Sequence, residues 1–300
     1  MSNGPAGHVV RSTDSPYGET IKSPPLRTLL TTEDGITIDS VYEPPAVVYD
    51  GSRTPARDLV FVIAHGFTGD LDRPHVRRVA EAFAQYGAVV TFSFRGHGAS
   101  GGRSTVGDRE VLDLAAAVAW ARSLGHARVV TVGFSMGGSV VLRHAALHPP
   151  EHEGRTEAHT AARTDGESHT DAHTDAVVSV SAPARWYYRG TAPMRRLHWL
   201  VTRPAGRLVG RYGFRTRIDR QEWDPVPLSP VEAVPGIAPV PLLIVHGDRD
   251  GYFPLDHPRM LAAAAGGHAD LWLEPMGHAE HAVSAELLAR IGDWAVTAGG

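Results

Sequence analysis

The sequence predicts an α/β protein: a mostly parallel sheet of about eight strands with helices on both faces, plus a small lid. Three observations carry this expectation. Short apolar runs rich in β-branched residues alternate with helix-spaced segments over 59–147 and again over 241–295. The pentapeptide Gly133-Phe134-Ser135-Met136-Gly137 stands where one such run meets one such helix. A single long segment, 184–239, interrupts the alternation and is too long for an ordinary loop.

Residues 1–25 are rich in Gly, Pro, Ser and Thr without periodicity, and are expected to form a flexible arm. Leu26 to Thr32 and Ile36 to Tyr42 read as strands joined by the turn Glu33-Asp34-Gly35, with Pro44 and Pro45 as the stop. Leu59 to Ala64 and Ala88 to Phe94 are continuous apolar runs, as expected of strands covered on both faces. Between them, His75 to Tyr86 repeats Val76, Val79, Ala80 and Phe83 at helical spacing. Arg109 to Leu124 is a second amphipathic helix, and Arg128 to Val132 a strand that leads through the pentapeptide into a helix ending at Leu147. Further strands are expected at Ala176 to Val180, Pro241 to His246 and Asp270 to Glu274, and helices at Leu255 to Ala265 and Ala279 to Ala295. The core therefore comprises 26–183 and 240–300.

Two segments break the rhythm. Glu151 to Asp175 has almost no large apolar side chain and repeats His-Thr-Asp-Ala; it cannot offset its ordering entropy and reads as a disordered insertion. Its histidines match no zinc-ligand spacing. The segment 184–239 carries seven aromatic residues, and ten arginines stand between Arg185 and Arg220 against the single acid Asp219. It reads as a partly helical lid whose aromatics pack locally and whose arginines form a solvated face. The alternative for those arginines is attraction of an anionic substrate group or an anionic lipid surface.

Composition narrows the function classes. A net charge of −4 does not suggest nucleic acid as a partner. The absence of cysteine excludes disulfides, thiolate metal sites and a cysteine nucleophile, and fits a cytoplasmic protein. No signal peptide or membrane-spanning run is expected. The sequence implies no cofactor and no metal, and leaves the oligomeric state open.

A serine at a strand–turn–helix elbow is pushed out of the sheet, where its hydroxyl is open to substrate. Ser135 is the candidate nucleophile. Serine needs a base to take its proton, and a histidine oriented by an acid does so best. His278, just past the last strand, is the candidate base, with His281 as the neighbour to be distinguished from it. The strand 241–246 ends in His246-Gly247-Asp248-Arg249-Asp250, and Asp250 is the candidate acid. Asp248 competes, but is better placed to hold the turn. A tetrahedral intermediate also needs two donors for its oxyanion. The backbone N–H of Met136 and that of Phe67, in the loop after strand 59–64, are the candidates. His65 and the Arg95-Gly96-His97-Gly98 loop read as structural supports.

With these motifs in place, the chain resembles the α/β-hydrolase superfamily. The resemblance rests on His65-Gly66-Phe67, Arg95-Gly96-His97-Gly98-Ala99-Ser100, the elbow at Ser135, His246-Gly247-Asp248-Arg249-Asp250 and Gly277-His278, and covers roughly 26–298. It implies Ser135 as nucleophile, Asp250 as acid, His278 as base, and Phe67 and Met136 as oxyanion donors. His-Gly-Phe-Thr-Gly looks most like small bacterial carboxylesterases and acylglycerol lipases. The expectation is a serine hydrolase cleaving a small-molecule carboxylic ester. A thioesterase or acyltransferase would use the same triad, and a non-catalytic binding protein on this fold is the alternative from another class.

Overall fold

The computed structural model describes residues 20–21, 24–45, 47–48, 58–150 and 171–298. Among the described residues, ten strands and nine α-helices follow in chain order: β1 (Thr20–Ile21), β2 (Leu26–Thr31), β3 (Thr37–Glu43), β4 (Val47–Val48), β5 (Leu59–Ala64), α1 (Pro74–Phe83), β6 (Ala88–Phe92), α2 (Glu110–Ser123), β7 (Arg128–Phe134), α3 (Met136–Leu147), β8 (Ala176–Val180), α4 (Ala192–Thr202), α5 (Pro204–Gly213), α6 (Pro230–Ala233), β9 (Leu242–Gly247), α7 (Asp256–Ala264), β10 (Ala269–Glu274), α8 (Ala279–Ala282) and α9 (Ala285–Ala298). Among the described residues no helix is long and apolar enough to cross a membrane.

Eight strands form one sheet in the order β10-β9-β8-β7-β5-β6-β3-β2. From β10 to β6 every pairing is parallel, while β3 and β2 close the edge antiparallel. Strict alternation in the central strands sorts their side chains onto two faces. Val60, Val62 and Ala64 of β5 belong to one apolar layer with residues of α2, α3 and α7. Leu59, Phe61 and Ile63 pack with α1 and α9 on the other side. All six residues of β5 are buried, whereas none of edge strand β10 is, its residues being half-buried or exposed. This explains why the central strands read as unbroken apolar runs.

The chain leaves β5 for β6 on one side and returns to β7 on the other. This reversal makes the carboxyl ends of β5 and β7 the topological switch point, where α/β sheets bind ligands.

Four details differ from the sequence expectations. Thr20 and Ile21, within the expected N-terminal arm, pair antiparallel with Val48 and Val47; residues 1–19 lie outside the described residues. The expected disorder of 151–175 does not extend over its last residues. Thr174 is buried, and the Asp175 carboxylate accepts the Val129 N–H and pairs with Arg122, both at 2.6 Å. Residues 151–170 lie outside the described residues. The expected helix Ala279 to Ala295 is two helices. Val283 is extended (ψ 125°), and the Ser284 hydroxyl then caps α9 by accepting the Leu287 N–H. Finally, the segment 184–239 divides. Its end, α6 and the turn Val234–Gly236, sits in the core against α3, with Val234 and Ile237 buried.

The rest of that segment carries α4 and α5. It is tied to the core by bridges from Thr216 to His97 and from Ile218 to Ser104. Its aromatics split into two groups. Trp186 and Trp223 stack edge-on at 5.0 Å and donate their indole N–H groups to Pro227 O and Thr105 O. Trp199, Tyr212 and Phe214 stay exposed. Several arginines satisfy backbone carbonyls instead of forming a free positive face. Arg207 reaches Val201 O and Thr202 O at the end of α4, and Arg217 reaches Ser100 O and Gly102 O.

Candidate active site

From Val129 to Ala145 every residue is buried except Ser135. That single opening follows from the backbone. Ser135 joins β7 directly to α3 with φ 52° and ψ −112°, a left-handed conformation that costs energy in a residue with a Cβ. Its N–H is held by Val180 O at 2.9 Å, and its carbonyl accepts the Ser139 N–H at 3.1 Å. The turn closes only because its flanking residues lack side chains. A Cβ on Gly133 would stand 2.2 Å from Gly137 O, and one on Gly137 would stand 2.1 Å from Ala64 O. The elbow glycines therefore let α3 start against the end of β5.

His278 meets Ser135 from the far side of the sheet end. Its Nε2 lies 2.9 Å from Ser135 Oγ, and its Nδ1 lies 2.7 Å from Asp250 Oδ2. The Asp250 side chain is fully buried, with 0% of its surface exposed. Its other oxygen, Oδ1, accepts the N–H groups of Tyr252 and Phe253 at 2.8 and 3.1 Å. Burial alone would raise the Asp250 carboxyl. The hydrogen bond and charge of His278 and the two amides outweigh it, holding the group below its ordinary carboxylate range. An ionised Asp250 can only accept, so His278 Nδ1 carries the proton and Nε2 is left to receive the Ser135 hydroxyl. His246 stands 3.6 Å from the same carboxylate, but burial pushes its pKa down, and its Nε2–H is directed at Phe253 O at 2.9 Å.

The competing candidates lie elsewhere. Asp248 is exposed and pairs with Arg249. The turn-holding role expected of it is performed by Asp250 Oδ1. His281 is exposed and packs against His75, with ring centroids 3.9 Å apart.

The loop after β5 is braced at nearly every amide. Gly66 N–H is held by Glu280 Oε1 at 3.0 Å, Thr68 N–H by His97 Nε2 at 3.3 Å, and Gly69 N–H by Gly66 O at 3.0 Å. His65 donates from Nδ1 to Gly66 O at 2.7 Å and accepts the Phe94 N–H on Nε2 at 3.0 Å. Each imidazole works as a neutral donor–acceptor. Burial pushes His65 down to about 3 and His97 down to about 4. Among the described residues, no acceptor engages the Phe67 N–H. The Met136 N–H, first in α3, has no intrahelical partner either. Two free amides thus flank Ser135 on the adjacent strand ends β5 and β7, where Ala64 pairs with Gly133. Arg95 supports the neighbouring loop through Asp113 and Asp34, at 2.8 and 2.6 Å.

Three residues around this centre carried no sequence signal. Tyr252 stacks on the His278 ring at 4.2 Å. Ser181 Oγ accepts the N–H of Ala279, the residue after His278, at 3.1 Å. Glu280 reaches across to the Phe67 loop. Each lies far from its partner in the chain, so no local pattern could have pointed to it.

A family model described as the alpha/beta hydrolase fold matches residues 60–152, the stretch from β5 through α3. Among solved structures, an esterase from Pyrococcus furiosus superposes with a TM-score of 0.63 at 21% identity, covering 94% of each chain. The chain has the α/β-hydrolase fold. The esterase domain of a Rhodothermus marinus protein (TM-score 0.60, 18% identity, 93% of this chain and 100% of that one) shares this α/β-hydrolase architecture. So does a Xanthomonas campestris serine hydrolase described as lacking a lid (TM-score 0.54, 18% identity, 94% of each chain). None of the curated proteins matches the chain.

Proposed function

We propose that this α/β-hydrolase cleaves carboxylic esters of small molecules through an acyl-enzyme on Ser135. The hydrogen-bonded series Ser135–His278–Asp250 is the observation that carries the reading. His278 Nε2 takes the hydroxyl proton as Ser135 Oγ bonds to the ester carbonyl carbon. Asp250 stabilises the imidazolium that results and keeps the ring in the productive tautomer. The negative oxygen of the tetrahedral intermediate sits between the amides of Phe67 and Met136. Each such donor contributes roughly 10²–10³-fold in rate because it is fixed before the charge develops. Collapse breaks the bond to the alcohol, which leaves with the proton from His278. Water then attacks the acyl-enzyme with His278 again as base, and the acid departs.

The test is covalent labelling with a fluorophosphonate, followed by mass mapping of the modified residue. The expected adduct is on Ser135, absent in Ser135→Ala; a wild-type chain that stays unlabelled overturns the nucleophile assignment. Hydrolysis of p-nitrophenyl esters from acetate to palmitate, compared with acyl-coenzyme A, separates an esterase from a thioesterase on the same triad.

A further inference from the structure

On the flank of the sheet end, three side chains outside the Ser135–His278–Asp250 series converge. His75 enters from the first turn of α1, and Glu280 and His281 from α8. Each offers one ligand atom, and all three atoms lie within 4.8 Å of one another. His75 Nε2 stands 3.8 Å from Glu280 Oε1, too far for a hydrogen bond, and among the described residues this buried atom has no hydrogen-bond partner. The His75 and His281 rings face each other at 3.9 Å. A buried, unsatisfied imidazole nitrogen beside a buried carboxylate is costly unless something joins them.

We infer that His75, Glu280 and His281 bind a divalent transition-metal ion of the zinc type. Two imidazoles and one carboxylate are a ligand set that zinc accepts, leaving a fourth position to water. The metal bonds that form would supply the partner that His75 Nε2 lacks. The charges around the site suit a cation held by a single carboxylate. The nearby Arg73 is paired with Asp70 at 3.2 Å, and the Arg78 guanidinium is turned to the carbonyls of Val283 and Glu280. Glu280 already has the outer support that orients a metal-binding carboxylate, because Oε1 accepts the Gly66 N–H. His281 is exposed, which leaves a route for the ion. Occupancy would clamp α1 to α8, and through Gly66 would stiffen the loop that carries Phe67.

The experiment uses the full chain, stripped with a chelator and titrated with Co²⁺ and Zn²⁺. Three variants accompany wild type: His281→Ala, His75→Ala/His281→Ala, and a chain with His152, His159, His169 and His173 replaced by alanine. The expected result is one Co²⁺ per chain with visible d–d absorption of a four- or five-coordinate ion, displaced by Zn²⁺, and a melting temperature raised by Zn²⁺. His281→Ala, which removes an exposed side chain, should weaken binding at least tenfold. The double variant should abolish the absorption, and the four-histidine variant should keep it. Absorption that persists in the double variant, or is lost only in the four-histidine variant, overturns the site. So does a wild-type chain that takes up no Co²⁺. Fluorophosphonate labelling of Ser135 is read separately, so the metal site and the esterase reading fail independently.

Discussion

Asp250 binds the His278 imidazole with one carboxylate oxygen and the turn amides of Tyr252 and Phe253 with the other. The same side chain thus shapes the loop after β9 and aims the ring at Ser135. Its complete burial gives the ring a partner that water does not screen.

Replacing Asp250 with asparagine should therefore separate fold from chemistry. The amide keeps an acceptor for the turn but offers no negative charge and can donate to Nδ1, favouring the wrong tautomer. A fall in kcat of roughly 10³–10⁴-fold is expected, with circular dichroism unchanged. Ester turnover within tenfold of wild type would contradict the role proposed for Asp250.

The elbow makes a sharp prediction about stability. In Gly137→Ala the new methyl meets the backbone oxygen of Ala64 at 2.1 Å, which no side-chain rotation relieves. A loss of about 3–5 kcal/mol is expected in urea unfolding. In Gly251→Ala, where nothing lies within 4 Å, the change should be under about 0.5 kcal/mol. Equal midpoints for the two variants would show that the elbow packs differently.

The Arg95 guanidinium is almost fully buried between Asp113 and Asp34. Arg95→Met should cost roughly 3–5 kcal/mol, mostly from stranding the buried Asp113 carboxylate. Adding Asp113→Leu should recover part of that loss. A double variant no more stable than Arg95→Met would argue against the stranded charge as the cause.

Acid should unfold this protein early. Burial pushes His65 down to about 3, His97 and His257 down to about 4, and His144 well below its ordinary value. An unfolded histidine titrates near 6.5, so below that pH the unfolded chain holds more protons than the folded one. The stabilisation is complete above about pH 6.5 and is lost as pH falls toward 4. Each histidine contributes up to about 1.4 kcal/mol per pH unit. Urea midpoints at about pH 7.5, 6 and 5, on either side of the unfolded histidine value, test this. Replacing His97 with glutamine should flatten the slope, and a slope unchanged in that variant would exclude His97 from it.

Much of the molecule was legible in the residue order because its signals are local. The central strands announce themselves by burial on both faces, and the elbow by a serine set among glycines between a strand and a helix. Candidates Ser135, Asp250, His278, Phe67 and Met136 each sit directly after a strand or at a helix start, and parallel strands bring those ends together. The break at Val283 was not legible, since Ala279 to Ala295 is helix-compatible throughout and tertiary packing of α8 beside α1 decides where it ends. The fate of the arginines was equally hidden, because whether a guanidinium faces water or a carbonyl depends on a partner far along the chain. Sequence alone thus determined the fold class, the order of its units and the residue types at each strand end. Only the tertiary structure decided which oxygen of Asp250 holds the ring, that Glu280 and His97 brace the Phe67 loop, and that His75 meets Glu280 and His281. Those contacts join residues as far as 214 positions apart, and hydrogen-bond geometry over such separations exists only once the chain has closed around its sheet.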